Sequence, residues 1–248
     1  MKLTGKVALV TGGSRGIGFA IAKVLSENGA SVVITSKNSE KIKQAEAKIS
    51  NSFGITCDIK KKNEVQNVLD QTIKKFGKLD ILVNNAGISL PDSSLDYSEE
   101  LWEKTYEVNL KAPFFLSQEC AKIMKLKKSG IIINITSINA EFGFPDNPSY
   151  QSSKGGLKQL TKSLALDLAK FGIRVNNVGP GYFHTSMTKK SWNNIKRRKI
   201  ITDNTILGRW GEPKDLEGII IFLSSNASSY ITGQDIYVDG GWSAKGIQ

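Results

Sequence analysis

Short runs of aliphatic and β-branched residues alternate along the whole chain with longer segments whose apolar residues return every three or four positions. The runs Val7–Val10, Ser31–Thr35, Phe53–Cys57, Leu79–Val83, Ile131–Thr136, Arg174–Val178 and Ile236–Val238 read as strands. Their hydrophobicity is nearly continuous, as expected for parallel strands covered on both faces. Between them, Ile17, Ile21, Val24 and Leu25 form one helical face, and Val65, Val68, Leu69 and Ile73 another. A long helix from about Tyr150 carries Leu157, Leu160, Leu164 and Leu168. Gly29, Gly77 and Gly172 stand just before strands, where helix-ending glycines belong. Strand and helix alternating without a long linker predict an α/β fold, one doubly wound domain over residues 1–248. The irregular stretch Gly179–Gly211 is too long for a simple connection and is expected to be a lid or binding loop.

Charge changes this picture little. The 34 Lys+Arg against 23 Asp+Glu give a net charge of +11, but the lysines at positions such as 41, 43, 48, 60, 61, 62, 74, 75 and 78 read as solvated helix faces. Nucleic-acid binding would want basic residues interleaved with aromatics or a recognised module, and neither is present, so no nucleic-acid partner is expected. One run stands apart, Lys196-Arg197-Arg198-Lys199. It suits either attraction of an anionic substrate or a plain surface helix turn. The aliphatic run Ile219–Leu223 falls far short of the ~20 apolar residues that span a bilayer, and Met1-Lys2-Leu3-Thr4-Gly5 offers no apolar signal region. A cytoplasmic protein with no membrane partner is therefore expected. Cys57 and Cys120 form no C-x-x-C pair and His184 is the single histidine, so neither a disulfide framework nor a metal site is expected.

The first strand runs into Thr11-Gly12-Gly13-Ser14-Arg15-Gly16-Ile17-Gly18, with a helical pattern directly after it. Glycines there let the backbone turn tightly against a pyrophosphate, whose charge meets the helix N-terminus. Gly12, Gly16 and Gly18 give a wider loop than G-x-G-x-x-G, leaving Ser14 and Arg15 free to reach the ligand. The second strand ends Ser36-Lys37-Asn38, without the acid that usually binds a ribose 2′-hydroxyl. Ser36, Lys37 and Arg15 instead suit a 2′-phosphate, so NADP(H) is favoured over NAD(H). Asp58 suits either an adenine amino group or a helix N-cap. Asn84-Asn85-Ala86-Gly87 ends the fourth strand with small residues that fit a backbone lying under a cofactor.

Tyr150 and Lys154 lie four residues apart on a helix beginning near Pro148, and so share a face. A nearby ammonium is expected to pull the phenol pKa down from about 10 toward working range. Ser137, at the carboxyl edge of the fifth strand, is placed to hold a carbonyl oxygen.

Taken together, Thr11–Gly18 (TGGSRGIG), Asp58, Asn84–Gly87 (NNAG), Asn109, Ser137, Tyr150–Lys154 (YQSSK), Asn176 and Pro180-Gly181 with Thr185 resemble the single-domain short-chain dehydrogenase/reductase family over nearly the whole chain. The resemblance implies a seven-stranded parallel Rossmann sheet with helices on both faces, a homotetramer, and a mobile substrate loop at about 181–211. It implies Tyr150 as general acid/base, Ser137 as the carbonyl-oxygen binder, and Lys154 on the nicotinamide ribose, lowering the Tyr150 pKa. Asn109 would hold a water linking Lys154 to solvent. The Phe183 backbone and Thr185 would grip the nicotinamide carboxamide after the Pro180-Gly181 turn. Ser153, and Gly179 before Pro180, stand where alanine is frequent in the family.

The segments Thr232–Trp242 and Leu207–Pro213 look like those of the sugar-acid and polyol branch, especially gluconate 5-dehydrogenase-like proteins. The same scaffold serves 3-oxoacyl-[acyl-carrier-protein] reductases, which usually carry basic residues to dock the acidic carrier. One such position is Phe171 here, with Lys127, Lys128 and Lys170 nearby. Asn139, Glu141, Asn147 and Gln151 suit a hydroxylated substrate, although an inward Glu141 would disfavour a carboxylate. The expectation is an oxidoreductase interconverting a ketone and a secondary alcohol on a small sugar acid or polyol. The alternative is a 3-oxoacyl-[acyl-carrier-protein] reductase, and more remotely a non-catalytic nucleotide sensor. His184 reads as a substrate contact or a solvated loop residue.

Overall fold

In the computed structural model, which describes residues 2–245, the strands are β1 (Val7–Thr11), β2 (Ser31–Ser36), β3 (Ser52–Thr56), β4 (Ile81–Asn84), β5 (Gly130–Ile135), β6 (Ile173–Pro180) and β7 (Asp235–Val238). They pair in parallel throughout, in the order β3-β2-β1-β4-β5-β6-β7. The helices are α1 (Gly16–Glu27), α2 (Ser39–Glu46), α3 (Lys62–Phe76), α4 (Glu99–Tyr106), α5 (Ala112–Met124), α6 (Pro148–Ala169), α7 (Lys189–Asn193), α8 (Ile195–Asn204) and α9 (Glu217–Ser224).

Both sheet faces are buried, which is why the strands read as unbroken apolar runs. Along β1, Ala8 and Val10 point to a core filled by Ile21 and Leu25 of α1, Ile42 of α2 and Ile220 and Leu223 of α9. Val7 and Leu9 point to the opposite core, with Val68 and Leu69 of α3, Leu116 and Cys120 of α5 and Leu164 of α6. No described helix is long and apolar enough to cross a membrane.

Three local differences from the sequence reading have physical causes. Leu79 is buried in the core, yet β4 begins only at Ile81. Asp80 occupies the entry, its carboxylate accepting the Val7 N–H at 2.8 Å and pairing with Lys78 at 3.0 Å. The stretch 179–211 is not irregular: β6 extends to Pro180 and α7 and α8 fold within it. Its base is closed where the Gly211 N–H donates to the Tyr182 carbonyl at 2.9 Å and the His184 N–H to the Gly211 carbonyl at 2.8 Å. Finally, α4 and α5 are joined by a π turn, Glu107–Lys111, which turns Asn109 into the interior.

Because β1 lies between β2 and β4, the connections leaving β1 and β4 diverge and open a crevice at their carboxyl ends.

Candidate active site

The β1–α1 turn enters that crevice. Gly12 (φ 66°) and Gly16 (φ 54°) adopt the left-handed backbone that side chains disfavour. Gly18 is required by close approach, since a Cβ there would fall within 3.0 Å of Asn85 Nδ2 and the Gly12 carbonyl. The turn is tied to the end of β4. The Asn85 and Ala86 N–H groups each donate to Thr11 Oγ1 at 3.0 Å, and Asn85 Nδ2 donates to the Thr11 carbonyl at 2.8 Å. The Asn85 side chain thus buttresses the glycine turn, a task the spacing alone did not reveal.

α1 starts with Arg15 at its N-cap position and no capping side chain, so its first-turn amides are open to an anion. No residue from Gly12 to Gly18 is acidic, Ser14 and Arg15 flank the turn, and partly buried Ile17 packs on the core. A Cβ on Gly16 would meet the Thr185 side chain at 3.8 Å, so Thr185 faces the turn from the far wall.

At the end of β2, Ser36 Oγ accepts the Asn38 N–H at 3.4 Å, while Lys37 Nζ pairs with Asp58 at 3.0 Å. Asp58 does not cap α3, whose N-cap is Lys61; its Oδ1 accepts the Lys60 N–H at 3.1 Å and closes the preceding turn. Desolvation pushes the Asp58 carboxyl up, but Lys37 and the Lys60 amide outweigh it and hold the group below its ordinary range. Lys37 is 58% exposed and Asp58 17%, so the lysine's charge faces the open end of β2.

Across the crevice, Ser137, Tyr150, Lys154 and Asn109 converge. Ser137 Oγ donates to Asn139 Oδ1 at 3.0 Å and accepts the Asn139 N–H at 3.1 Å. The Tyr150 phenol lies beside the Ser137 hydroxyl, which eases the ionisation that burial opposes. Lys154 is 4% exposed, donates to the Ile135 carbonyl at 2.7 Å and lies 5.7 Å from the Tyr150 ring centre. Asn109 exchanges two hydrogen bonds of 2.9 Å with the Ile88 backbone and donates to Ser153 Oγ at 3.2 Å. Gly87 separates the two, a Cβ there lying 3.3 Å from Asn109 Oδ1 and 3.7 Å from Lys154 Nζ. Ser153 in turn donates to the Tyr150 carbonyl at 2.8 Å, so this departure from alanine links Asn109 to the tyrosine's own turn.

The electrostatics correct one expectation. Burial raises the Tyr150 phenol, opposed only by Ser137, and Lys154 exerts no depressing effect in this arrangement. Burial instead lowers the Lys154 ammonium to about 8. The unfolded chain therefore binds more protons than the folded one between about pH 8 and the ordinary lysine value, so this contribution to stability rises with pH across that window. Cofactor-free wild type is expected to gain about 2 kcal/mol on Lys154→Met by pH 9.5 relative to pH 7, roughly 4 to 8 °C in relative Tm. Paired thermal melts at the two pH values check this.

Of the polar residues expected around a substrate, two are committed elsewhere. The Gln151 amide is bound to both the N–H and the carbonyl of Phe144, at 2.7 and 2.6 Å. Glu141 is paired with Lys158 and accepts from the Tyr237 hydroxyl at 3.1 Å, so it does not point its charge inward. Asn139 serves Ser137. Asn147 donates to Ser89 Oγ at 2.8 Å, while its buried Oδ1 has no donor.

Sequence reading missed an aromatic wall beyond these groups. Tyr182 packs on Trp242 at 5.1 Å, on Trp210 at 5.5 Å and on Phe144 at 6.2 Å. Trp192 stacks on His184 at 4.1 Å and lies under the Arg198 guanidinium at 5.2 Å. His184 is an exposed residue whose ring stacks on Trp192 of α7. The signal was present, since Tyr182, Phe183, His184, Trp192 and Trp210 crowd one segment. Phe183 is buried against Gly211, and Thr188 Oγ1 donates to its carbonyl at 2.5 Å, fixing the segment that follows Pro180-Gly181.

A family model described as Enoyl-(Acyl carrier protein) reductase matches residues 12–243. A 3-oxoacyl-[acyl-carrier-protein] reductase of Rickettsia prowazekii is 41% identical over 240 residues, covering 96% of this chain and 97% of its own. A 2-dehydro-3-deoxy-D-gluconate 5-dehydrogenase of Escherichia coli K12 is 39% identical over 246 residues, covering 98% of this chain and 97% of its own. Among solved structures, a gluconate 5-dehydrogenase from Burkholderia cenocepacia in complex with NADP and tartrate superposes with a TM-score of 0.94 at 34% identity, covering 99% of this chain and 98% of its own.

Proposed function

Because the chain belongs to the short-chain dehydrogenase/reductase family of oxidoreductases, we propose that it interconverts the ketone and secondary alcohol of a sugar acid or polyol with NADP(H). The observation that carries the sugar-acid reading is the fate of Glu141. Lys158 foremost, helped by the Tyr237 hydroxyl, holds its carboxyl below the ordinary range despite some desolvation, so its charge is paired and does not repel an acid. The tartrate and NADP bound by the Burkholderia enzyme point the same way.

The chemistry asked of the chain is modest. Reduced nicotinamide, when bound, supplies the hydride. Ser137, already oriented by Asn139, turns its hydroxyl to the carbonyl oxygen beside Tyr150. Tyr150 donates its proton to that oxygen as negative charge grows there. Lys154 stands on the same helix face and stabilises the phenolate left behind, an effect that requires its ammonium to turn from the Ile135 carbonyl. Asn109, its side chain committed to Ile88 and Ser153, would hold a relay water linking Lys154 to solvent. Gly12–Gly18, Ser36, Lys37 and Asp58 would hold the adenosine half, with Ala86 and Gly87 beneath the cofactor. Phe183 and Thr185 would grip the carboxamide after Pro180-Gly181, and residues 181–211 would cover the substrate.

This reading includes a single catalytic domain, a cytoplasmic setting and a homotetramer. A groove of about 840 Å³ along α4, α5 and α6, lined by Trp102, Tyr106, Phe114, Phe115 and Leu160, supports self-association. A second reading, 3-oxoacyl-[acyl-carrier-protein] reductase, is favoured by the Rickettsia relative.

Cofactor oxidation should be followed with NADPH and NADH against 5-keto-D-gluconate, neutral ketoses and acetoacetyl thioesters. The expected result is highest kcat/KM on the keto acid, with NADPH at least about tenfold better than NADH, the magnitude of one lost charge-assisted contact. Preference for the thioester would replace this reading with the second.

A further inference from the structure

We infer that Thr161 is a positioning residue for the proton transfer: through a one-way chain of buried side chains it seats the helix of Tyr150 against the strand that leads to Ser137. The inference rests on Tyr150 as the proton donor, which both substrate readings share.

Asparagines interrupt the apolar strands at one level of the sheet. Asn84 of β4 stands opposite Asn134 of β5, Asn134 opposite Asn177 of β6, and Asn177 opposite Asp235, the first residue of the edge strand β7. None of the three amides is more than 3% exposed, and amides so deep are costly unless hydrogen-bonded. Their donors run in a single direction. Asn84 Nδ2 donates to Asn134 Oδ1 at 2.8 Å, and Asn134 Nδ2 to Thr161 Oγ1 at 2.7 Å. Thr161 Oγ1 donates to Asn177 Oδ1 at 2.6 Å, and Asn177 Nδ2 to Asp235 Oδ1 at 2.6 Å. The chain ends on a carboxylate, which only accepts. Turning over any one amide would set donor against donor or acceptor against acceptor, so Asp235 fixes the direction of the whole.

Thr161 is the one link outside the sheet. It lies on α6, seven residues after Lys154 and therefore on the same face. That face is joined to consecutive residues of β5 by two side-chain bonds of 2.7 Å, Thr161 with Asn134 and Lys154 with the Ile135 carbonyl. When Lys154 turns to the phenolate its bond is released, and the Thr161 hydroxyl keeps the helix in register with the strand end that leads to Ser137. The other acceptor within reach of that hydroxyl, the Leu157 carbonyl at 3.1 Å, belongs to α6 itself and supplies no such tie. Thr161 stands about three helical turns from Tyr150 and acts through the helix.

Thr161→Val keeps the shape and removes the hydroxyl, whereas Thr161→Ser keeps the hydroxyl and removes the methyl. NADPH oxidation is measured with 5-keto-D-gluconate or the acetoacetyl thioester, whichever is the better substrate, at a temperature where melts show each variant folded. NADPH affinity is measured by calorimetry. Thr161→Val is expected to lower kcat at least about tenfold, inside the roughly hundredfold that a misplacement of about 1 Å can cost. NADPH affinity should stay within about threefold of wild type, and Thr161→Ser should recover kcat to within about threefold. A Thr161→Val that loses stability but keeps its kcat would overturn the inference. So would equal losses of kcat and NADPH affinity, or a Thr161→Ser as impaired as Thr161→Val. Should Thr161→Val fail to fold, Asp235→Leu carries the test, because it removes the acceptor at the part-exposed end of the chain. Its kcat is expected to fall about threefold or more with NADPH affinity kept, and an unchanged kcat overturns the inference. Retained turnover in Tyr150→Phe would fail the proton-donor reading beneath it, whereas an inactive Tyr150→Phe with a silent Thr161→Val would fail the positioning role alone.

Discussion

Tyr150→Phe is expected to reduce kcat by about a thousandfold, within the range assigned to a positioned general acid, while NADPH affinity changes by less than about threefold. The substitution removes one oxygen and keeps the ring. The helix turn is kept as well, because Ser153 bonds the Tyr150 backbone carbonyl and not its side chain. The hydroxyl that disappears is the one beside Ser137; without it the alkoxide oxygen faces a serine already shared with Asn139. Steady-state rates combined with calorimetric titration of NADPH separate the two effects. Turnover within tenfold of wild type would remove Tyr150 from the proton path. Loss of NADPH binding in parallel would place its role in cofactor binding instead.

Gly18→Ala is expected to do the converse, weakening NADPH at least about tenfold, the equivalent of 1.4 kcal/mol, and destabilising the protein by about 1 to 3 kcal/mol, as overpacking of a close-packed site does. The added methyl has nowhere to go. It meets Asn85 Nδ2 and the Gly12 carbonyl, both of them backbone or backbone-bound groups rather than yielding side-chain ends. Relief requires the glycine turn to lift from β4 and carry the uncapped first turn of α1 with it. Gly5→Ala is a useful control: a Cβ there meets nothing within 4 Å, although its φ of 76° leaves backbone strain. Thermal melts and NADPH titration read both effects, and a fully stable Gly18→Ala with normal affinity would contradict the packing described here.

The strands and the long helices were legible because burial on both faces or on one face leaves a period in the residues themselves. The two glycine-bearing ends of the crevice were legible because backbone approach admits few residue types. What stayed hidden were relationships carried by partners distant in sequence. Nothing in Glu141 announces that Lys158 and Tyr237 will claim its charge, nor in Gln151 that Phe144 will take both ends of its amide. Spacing put Tyr150 and Lys154 on one face correctly, but it was silent on where the ammonium points. The Ile135 carbonyl takes it, and burial, opposed by Ser137, raises the phenol. The lid helices were illegible for another reason: α8 is polar almost throughout, with Ile201 its one buried residue, so it shows no apolar stripe and is held by aromatic clasps.

The π turn at Glu107–Lys111 makes chain length itself an element of the chemistry. A stretch that accommodates one residue beyond the α count is invisible to hydropathy, since deleting any member leaves an equally amphipathic segment. Yet such a deletion would rotate Asn109 by about 100° per residue around the axis and bring a different side chain toward Gly87. A deletion between Tyr106 and Ala112 is therefore expected to displace the Asn109 amide from its interior position.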